Sequence, residues 1–299
     1  MKAKEAKMRI MGKVFRYSVD FFHRKGFVQL MPVMLGKSVD PLGPDPGSSI
    51  VKIPEIEYQG EMLSLVTSMI LHKQVAVKDF KKIFIMSPNV RLERSERHST
   101  GRHLFEFTQA DFEMAGAKME DALTLIEEFY VGLSVYLREY ASEEFKVLDL
   151  DIFEFKAPFT RFDTEDLKAK YGEDWEQLMS KESKQPFFAI SHKREFYDKE
   201  DPTKPGAYLN YDIIYPLGFG EGLSGAEREH EYDQIIKRIE RDELDMTKYK
   251  QYLKHVKEGL EPSAGAGIGM ERLARFLTKS DHVGELSLFG RVPGMPIGI

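Results

Sequence analysis

Residues 88–114 read PNVRLERSERHSTGRHLFEFTQADFEM. A strand-like approach delivers Arg91, a loop adds Arg94, Arg97, His98, Arg102 and His103, and an alternating stretch follows. In extended chain, alternate side chains share a face. Phe105, Phe107, Gln109, Asp111 and Glu113 therefore line one side, and Glu106, Thr108, Ala110 and Phe112 the other. The first face passes from two aromatics to an amide and two carboxylates, which suits a ligand apolar at one end and cationic at the other. The loop suits polyphosphate, because guanidinium forks bind phosphate oxygens bidentately and offset charge that develops in nucleotidyl transfer. The same basic groups, balanced by Glu93 and Glu96, also fit a solvated hairpin tip.

Working outward, a helix is expected over Lys4–Lys25, with Met11, Val14, Phe15, Ser18, Val19 and Phe22 at helical spacing and Gly26 as its stop. FVQLMPVML from Phe27 is strand-like but interrupted by Pro32, and PLGPDPGSS at 41–49 marks a loop. Ser64–Lys78, Glu120–Tyr140 and Thr164–Lys184 read as helical, and KKIFIMS and HLFEFTQADFEMAGA as strands. PFFAI, AYLNYDIIYP and SAGAGIG add further strands before a closing helix over Met270–Leu277. Strands joined directly around 83–115 and separated elsewhere by long helices imply an antiparallel sheet flanked by helices, an α+β fold. No repeat or linker divides the 299 residues, so we expect one domain over 1–299.

The chain has no cysteine, which excludes disulfides, thiolate nucleophiles and sulfur-bound zinc. Oxygen ligands remain, and they suit a hard cation such as magnesium. The net charge of −6 gives no global basic footprint for nucleic acid. The N-terminus MKAKEAKMRIMGK lacks the apolar stretch of a signal peptide, and no run is long enough to span a bilayer, so a soluble cytoplasmic protein is expected.

The stretch at 88–114 resembles motif 2 of the class II aminoacyl-tRNA synthetases of the aspartyl and asparaginyl subgroup. Val90, Arg91 and Glu93 open the motif, and Arg102, His103, Leu104, Glu106, Phe107, Asp111, Glu113 and Met114 close it. GAGIGMERLARFL from Gly265 is similar to motif 3, and the first helix with Pro32 to motif 1, which in the family builds a dimer interface. GEGLSGAEREHEYD from Gly220 resembles the aspartyl branch, with Glu221, Ser224 and Arg228 on its fixed positions and Asp212 as the upstream acid. SMILHKQ at Ser68 is similar to the family's active-site helix, although Ile70 stands where the family has a glutamine.

The resemblance implies roles residue by residue. ATP would meet Arg91, Glu93, Arg102, His103, Leu104, Phe107, Gly269 and Arg272, with Arg91 and Arg272 as the catalytic arginines. Aspartate would meet Ser68, Lys73, Gln109, Asp111 and Arg228. Asp212, Glu221 and Ser224 would hold magnesium. The similarity covers only the family's catalytic core, starting at motif 1 without the anticodon-binding barrel. Within the family the pattern is closest to an archaeal asparagine synthetase group, itself similar to bacterial asparagine synthetase A. That implies ATP-dependent activation of the aspartate β-carboxylate, amidation of β-aspartyl-AMP by ammonia, no tRNA partner, and a homodimer. The alternatives are a tRNA synthetase core activating the α-carboxylate, and a non-catalytic paralogue.

Overall fold

The structure is a computed structural model that describes residues 1–42, 50–193 and 195–297. Beyond Leu42, the loop read at 41–49 lies outside the described residues. The chain opens with α1 (Ala3–Arg24), β1 (Val28–Gln29), β2 (Leu35–Gly36), β3 (Ile50–Lys52), β4 (Glu55–Tyr58), β5 (Glu61–Leu65) and α2 (Ile70–Ala76). Then come β6 (Lys82–Val90), β7 (Leu92–Glu93), β8 (Glu106–Ala115), α3 (Met119–Tyr140), α4 (Ser142–Val147), β9 (Thr160–Asp163), α5 (Thr164–Tyr171) and α6 (Trp175–Glu182). It closes with β10 (Phe187–Ile190), β11 (Asn210–Tyr215), β12 (Gly220–Glu227), α7 (Tyr232–Arg241), α8 (Lys250–Lys257), β13 (Ser263–Gly269) and α9 (Met270–Leu277).

Eight strands form the main sheet in the order β1-β6-β8-β13-β12-β11-β10-β9. Its interior pairings are antiparallel, and only β1 on β6 and β9 on β10 run parallel. One face carries Phe84, Phe112, Ala264, Ala266, Ile268, Leu223 and Ile213, which pack on Val14, Phe21 and Phe22 of α1 and on Ile126, Phe129 and Leu133 of α3. Both helices present apolar residues at helical spacing, and each large side chain removed from water contributes about 1.5–3 kcal/mol. That burial fixes the register of β8, because a slip of one residue would turn Asp111 and Glu113 into the core.

The opposite face is polar. Asp111 pairs with Gly267, Gly267 with Ser224, and Ser224 with Asp212, one row across four adjacent strands. Directly opposed residues project to the same side, so the acids expected to meet substrate and metal share a face.

Several sequence expectations change. The segment 64–78 is helical only over Ile70–Ala76, because Ser64 and Leu65 belong to β5, paired with β2 and β4. FVQLMPVML contributes only the short β1 and the first residue of β2, since Pro32 cannot donate to a ladder. The 164–184 region is two helices, α5 and α6, separated by a turn of 3₁₀-helix at Gly172–Asp174. GEGLSGAE is a central strand, although it has no apolar alternation. Its Gly222 and Gly225 leave room for the Tyr215 and Tyr211 rings, which would lie 2.0 and 2.5 Å from an added Cβ.

Candidate active site

A cleft opens on the polar face. Its lining includes Arg91, Glu93, Arg102, His103, Leu104, Phe107, Gly269 and Arg272, so all eight residues assigned to ATP from sequence meet in one place. Gln109, Glu221, Gly267 and Glu271 join them.

The arginines are held by several partners. Arg91 donates from Nε to the Thr67 carbonyl at 3.1 Å, and its guanidinium lies over the Phe107 ring with 5.1 Å to the centroid. Arg272 donates from Nε to the Arg102 carbonyl at 3.2 Å and pairs with Glu221 Oε1 at 3.1 Å. Arg102 in turn pairs with Glu176 on α6. Burial, then the positive charges of Arg272, Arg102 and Arg97, push His103 down to about 2, so it is a neutral ring at physiological pH. Glu271 accepts from the Thr108 N–H on both oxygens at 3.0 Å, and burial pushes its carboxyl up to about 7.

Beside the cleft, the residues assigned to the amino acid form a buried floor. Lys73 Nζ reaches Asp111 Oδ1 at 2.8 Å and Glu113 Oε2 at 3.7 Å. Arg228 pairs with Glu113 at 3.1 Å and Asp198 at 3.5 Å. Both cations expected to clamp a substrate are thus counter-ions of the protein's own acids, and both are almost wholly buried. Asp111 Oδ2 is buried with no hydrogen-bond partner in the protein. Gln109 accepts from Asn89 at 2.9 Å. Ser68 Oγ accepts from the Ile70 N–H at 3.3 Å, at the start of α2. Ile70 turns away into the cluster with Ile235, Ile239 and Tyr252.

Gly265 and Gly267 do more than admit a ligand to the backbone. An added Cβ at Gly267 would lie 2.6 Å from Gln109 Nε2 and 2.9 Å from Asp111 Oδ1. Their bareness lets the side chains of β8 lie flat over β13.

The proposed metal ligands share the polar face, with Asp212 opposite Ser224 and Glu221 opposite Ile214 across a register shift in β11. Asp212 also lies 3.3 Å from His192 Nε2. Among the described residues no three acids or histidines converge into a cage. The donor set still fits magnesium, which is usually held by one or two carboxylates together with substrate phosphates.

Three neighbours escaped the sequence reading. Asn89 fixes Gln109. Asp40 is buried, accepts from the Leu42 N–H and the Tyr197 hydroxyl, and has its carboxyl raised by burial against the opposing pull of Arg91. Glu176 sits on a charged helix, and nothing in its local pattern marks it. Asn89 alone had a signal, as the next residue on the face that carries Ser87 toward Gln109.

The comparisons bear on this site as a whole. A model of the tRNA synthetases class II (D, K and N) matches residues 2–293. The asparagine--tRNA ligase of Lactobacillus delbrueckii subsp. bulgaricus is 31% identical over 305 residues, covering 95% of this chain and 68% of the ligase. That of Pyrococcus abyssi is 29% identical and covers 96% and 68%. The crystal structure of asparaginyl-tRNA synthetase from Pyrococcus horikoshii complexed with asparaginyl-adenylate superposes with a TM-score of 0.85 at 25% identity, over 98% of this chain and 70% of that one.

These findings overturn two expectations. Ammonia-dependent amidation of aspartate, and the absence of a tRNA partner, rested on a resemblance to asparagine synthetases. The relatives that match nearly the whole chain are instead ligases of asparagine to tRNA. Net charge is summed over the whole chain, so it carries no information about a local partner surface. Among the described residues no helix is long and apolar enough to cross a membrane. The sheet, the arginine-lined cleft and a match spanning residues 2–293 place the chain in one family: it belongs to the class II tRNA synthetases of the D, K and N group.

Proposed function

We propose that the protein activates the α-carboxylate of asparagine with ATP, forming asparaginyl-AMP and pyrophosphate, and transfers the asparaginyl group to tRNA. Residues 1–299 act as the catalytic unit in this reading. One observation carries the choice of asparagine. The buried floor sets two cations, Lys73 and Arg228, against three acids, Asp111, Glu113 and Asp198. Among the described residues both cations of the floor are already engaged by these acids, so a side-chain carboxylate would add negative charge there, whereas an uncharged amide adds none. The relatives' substrate agrees with that balance.

The geometry of the cleft supports the following roles. Arg91 bridges the reacting carboxylate and the α-phosphate and stabilises the charge of the in-line displacement. Phe107 offers a ring for adenine and Glu93 an acceptor for its amino group. Arg272 meets the γ-phosphate. Asp111, with one carboxylate oxygen lacking a protein partner, accepts from the substrate ammonium group. Asp212, Glu221 and Ser224 would hold magnesium, which supplies neutralisation of the phosphate charge when bound. His103 is neutral and holds no proton to donate from a cationic ring; it accepts or donates as an imidazole beside Arg102 and Arg272.

ATP–pyrophosphate exchange tests the first half-reaction. Exchange that depends on asparagine and not on aspartate, followed by asparaginylation of tRNA, is the expected result. Exchange with aspartate alone, or none with either amino acid, would overturn the reading.

A further inference from the structure

Four contacts close a ring at the mouth of the cleft. Glu176 pairs with Arg102, and the Arg102 carbonyl accepts from Arg272 Nε at 3.2 Å. Arg272 pairs with Glu221 at 3.1 Å, and the Glu221 backbone N–H donates back to Glu176 Oε1 at 3.1 Å. Three members belong to the motifs already described. Glu176 comes from α6, a helix to which neither the motifs nor the comparisons assign any part in the site.

The local structure shows how α6 is placed to do this. Ser180 lies four residues on, hence on the same helix face. Its Oγ donates to the Tyr215 carbonyl at 2.6 Å and accepts from the Gly220 N–H at 3.0 Å. One face of α6 therefore fastens both sides of the β11–β12 turn. Gly220, with φ of +72°, lets the pair pass: an added Cβ would stand 2.5 Å from Arg102 Nη1 and 2.9 Å from Glu176 Oε1. The preceding Trp175 anchors the helix in the cluster formed with Leu167, Met179 and Phe187.

We propose that Glu176 is a positioning residue for the nucleotide: it fixes the guanidinium of Arg102 and the backbone of Glu221 at the spacing that a triphosphate requires. The inference rests on the synthetase reading above. Long arginine side chains carry large rotamer entropy, and a carboxylate that fixes one in place before binding lowers the cost of ordering it on the ligand. Glu176 itself makes no contact with substrate in this account.

The experiment compares wild type, Glu176→Ala, Glu176→Gln and Ser180→Ala, measuring ATP binding by calorimetry and KM for ATP and for asparagine by pyrophosphate exchange. Glu176→Ala is expected to weaken ATP binding and raise KM for ATP about tenfold, the loss of one charged hydrogen bond discounted for partial exposure, with KM for asparagine unchanged. Glu176→Gln, which keeps an acceptor oxygen, is expected to recover about half of that loss on a logarithmic scale. Ser180→Ala, which loosens the same turn but leaves the Glu176–Arg102 pair in place, is expected to raise KM for ATP by less than Glu176→Ala does.

Unchanged or tighter ATP binding in Glu176→Ala would overturn the proposal, and so would equal losses for ATP and asparagine, which would mean general loosening. If wild type binds ATP but exchanges with neither amino acid, the synthetase reading fails, while the binding comparison still decides the role of Glu176.

Discussion

Lys73 Nζ lies 2.8 Å from Asp111 Oδ1, and both side chains are almost completely excluded from water. The ammonium also donates to the Phe112 carbonyl at 3.3 Å, so α2 is pinned to β8 beneath the site. A buried pair of this kind is costly to break singly, because the survivor remains charged in a low-dielectric interior. Lys73→Met keeps most of the stem volume but strands Asp111 and Glu113. It is expected to destabilise the fold by about 3–5 kcal/mol in chemical denaturation. Adding Asp111→Asn should recover part of that loss, and additive losses in the double variant would show that the two residues are not coupled.

Two groups in the cleft set opposite limbs of the pH dependence. Glu271 loses its proton near 4.5 when unfolded but keeps it to about 7 in the folded protein. Its contribution is therefore fully present below pH 4.5 and is lost as pH rises toward 7, a span on the order of 3 kcal/mol. His103 behaves in the reverse sense. The unfolded ring takes a proton near 6.5 while the folded one refuses it down to about 2, so its contribution is present above pH 6.5 and lost on acidification. Melting curves from pH 4 to 8 should show Glu271→Gln gaining on wild type between about pH 5 and 7, and His103→Gln gaining below about pH 6.5. A constant offset between Glu271→Gln and wild type across that range would mean that Glu271 ionises normally.

The periodic elements were legible. α1 and α3 carry apolar residues at helical spacing over 22 residues each, and β13 and α9 fall where the glycine-rich stretch and its following helix were read. β12 was opaque as a strand because its small residues answer to tyrosine rings on β11, a constraint that lies in another segment. The cleft residues were identified by motif spacing, and the structure gathers them. The state of the floor was not legible. Lys73 and Arg228 look available in sequence, and only folding brings Asp111 and Glu113 of β8 and Asp198 of a later loop against them. The choice between ammonia and tRNA as acceptor lay further out of reach, because the motifs serve the adenylation step that both chemistries share.

An apolar run after the first helix leads to an expectation about assembly. Val28, Val33, Met34 and Leu35 are exposed, and Met31 is 83% exposed. This is the region whose sequence resembles motif 1, and a second copy of the chain is the expected cover. Sedimentation should give a dimer, and Met31→Glu, which would place a charge in the apolar centre of such a contact, should weaken it at least tenfold. A monomeric wild type at micromolar concentration would exclude the assignment.

Gly265 and Gly267 occupy alternate positions of β13 on the same face, yet alanine at the two should behave differently. At Gly265 an added Cβ would stand 2.1 Å from the Phe112 carbonyl oxygen, a backbone atom of the adjoining central strand that cannot move without breaking the ladder. Gly265→Ala is expected to fold poorly, with a loss of several kcal/mol, about the upper end for single substitutions. At Gly267 the first obstacle is Gln109 Nε2 at 2.6 Å, the end of a flexible side chain. Gln109 can swing aside, giving up its bond from Asn89, but Asp111 Oδ1, 2.9 Å from the added Cβ, must also shift against its bond from Lys73. Gly267→Ala should thus cost less stability than Gly265→Ala while KM for asparagine rises about tenfold, because the damage is confined to the amino-acid side of the cleft. An equal rise in KM for ATP would mean that Gly267 serves chiefly the nucleotide.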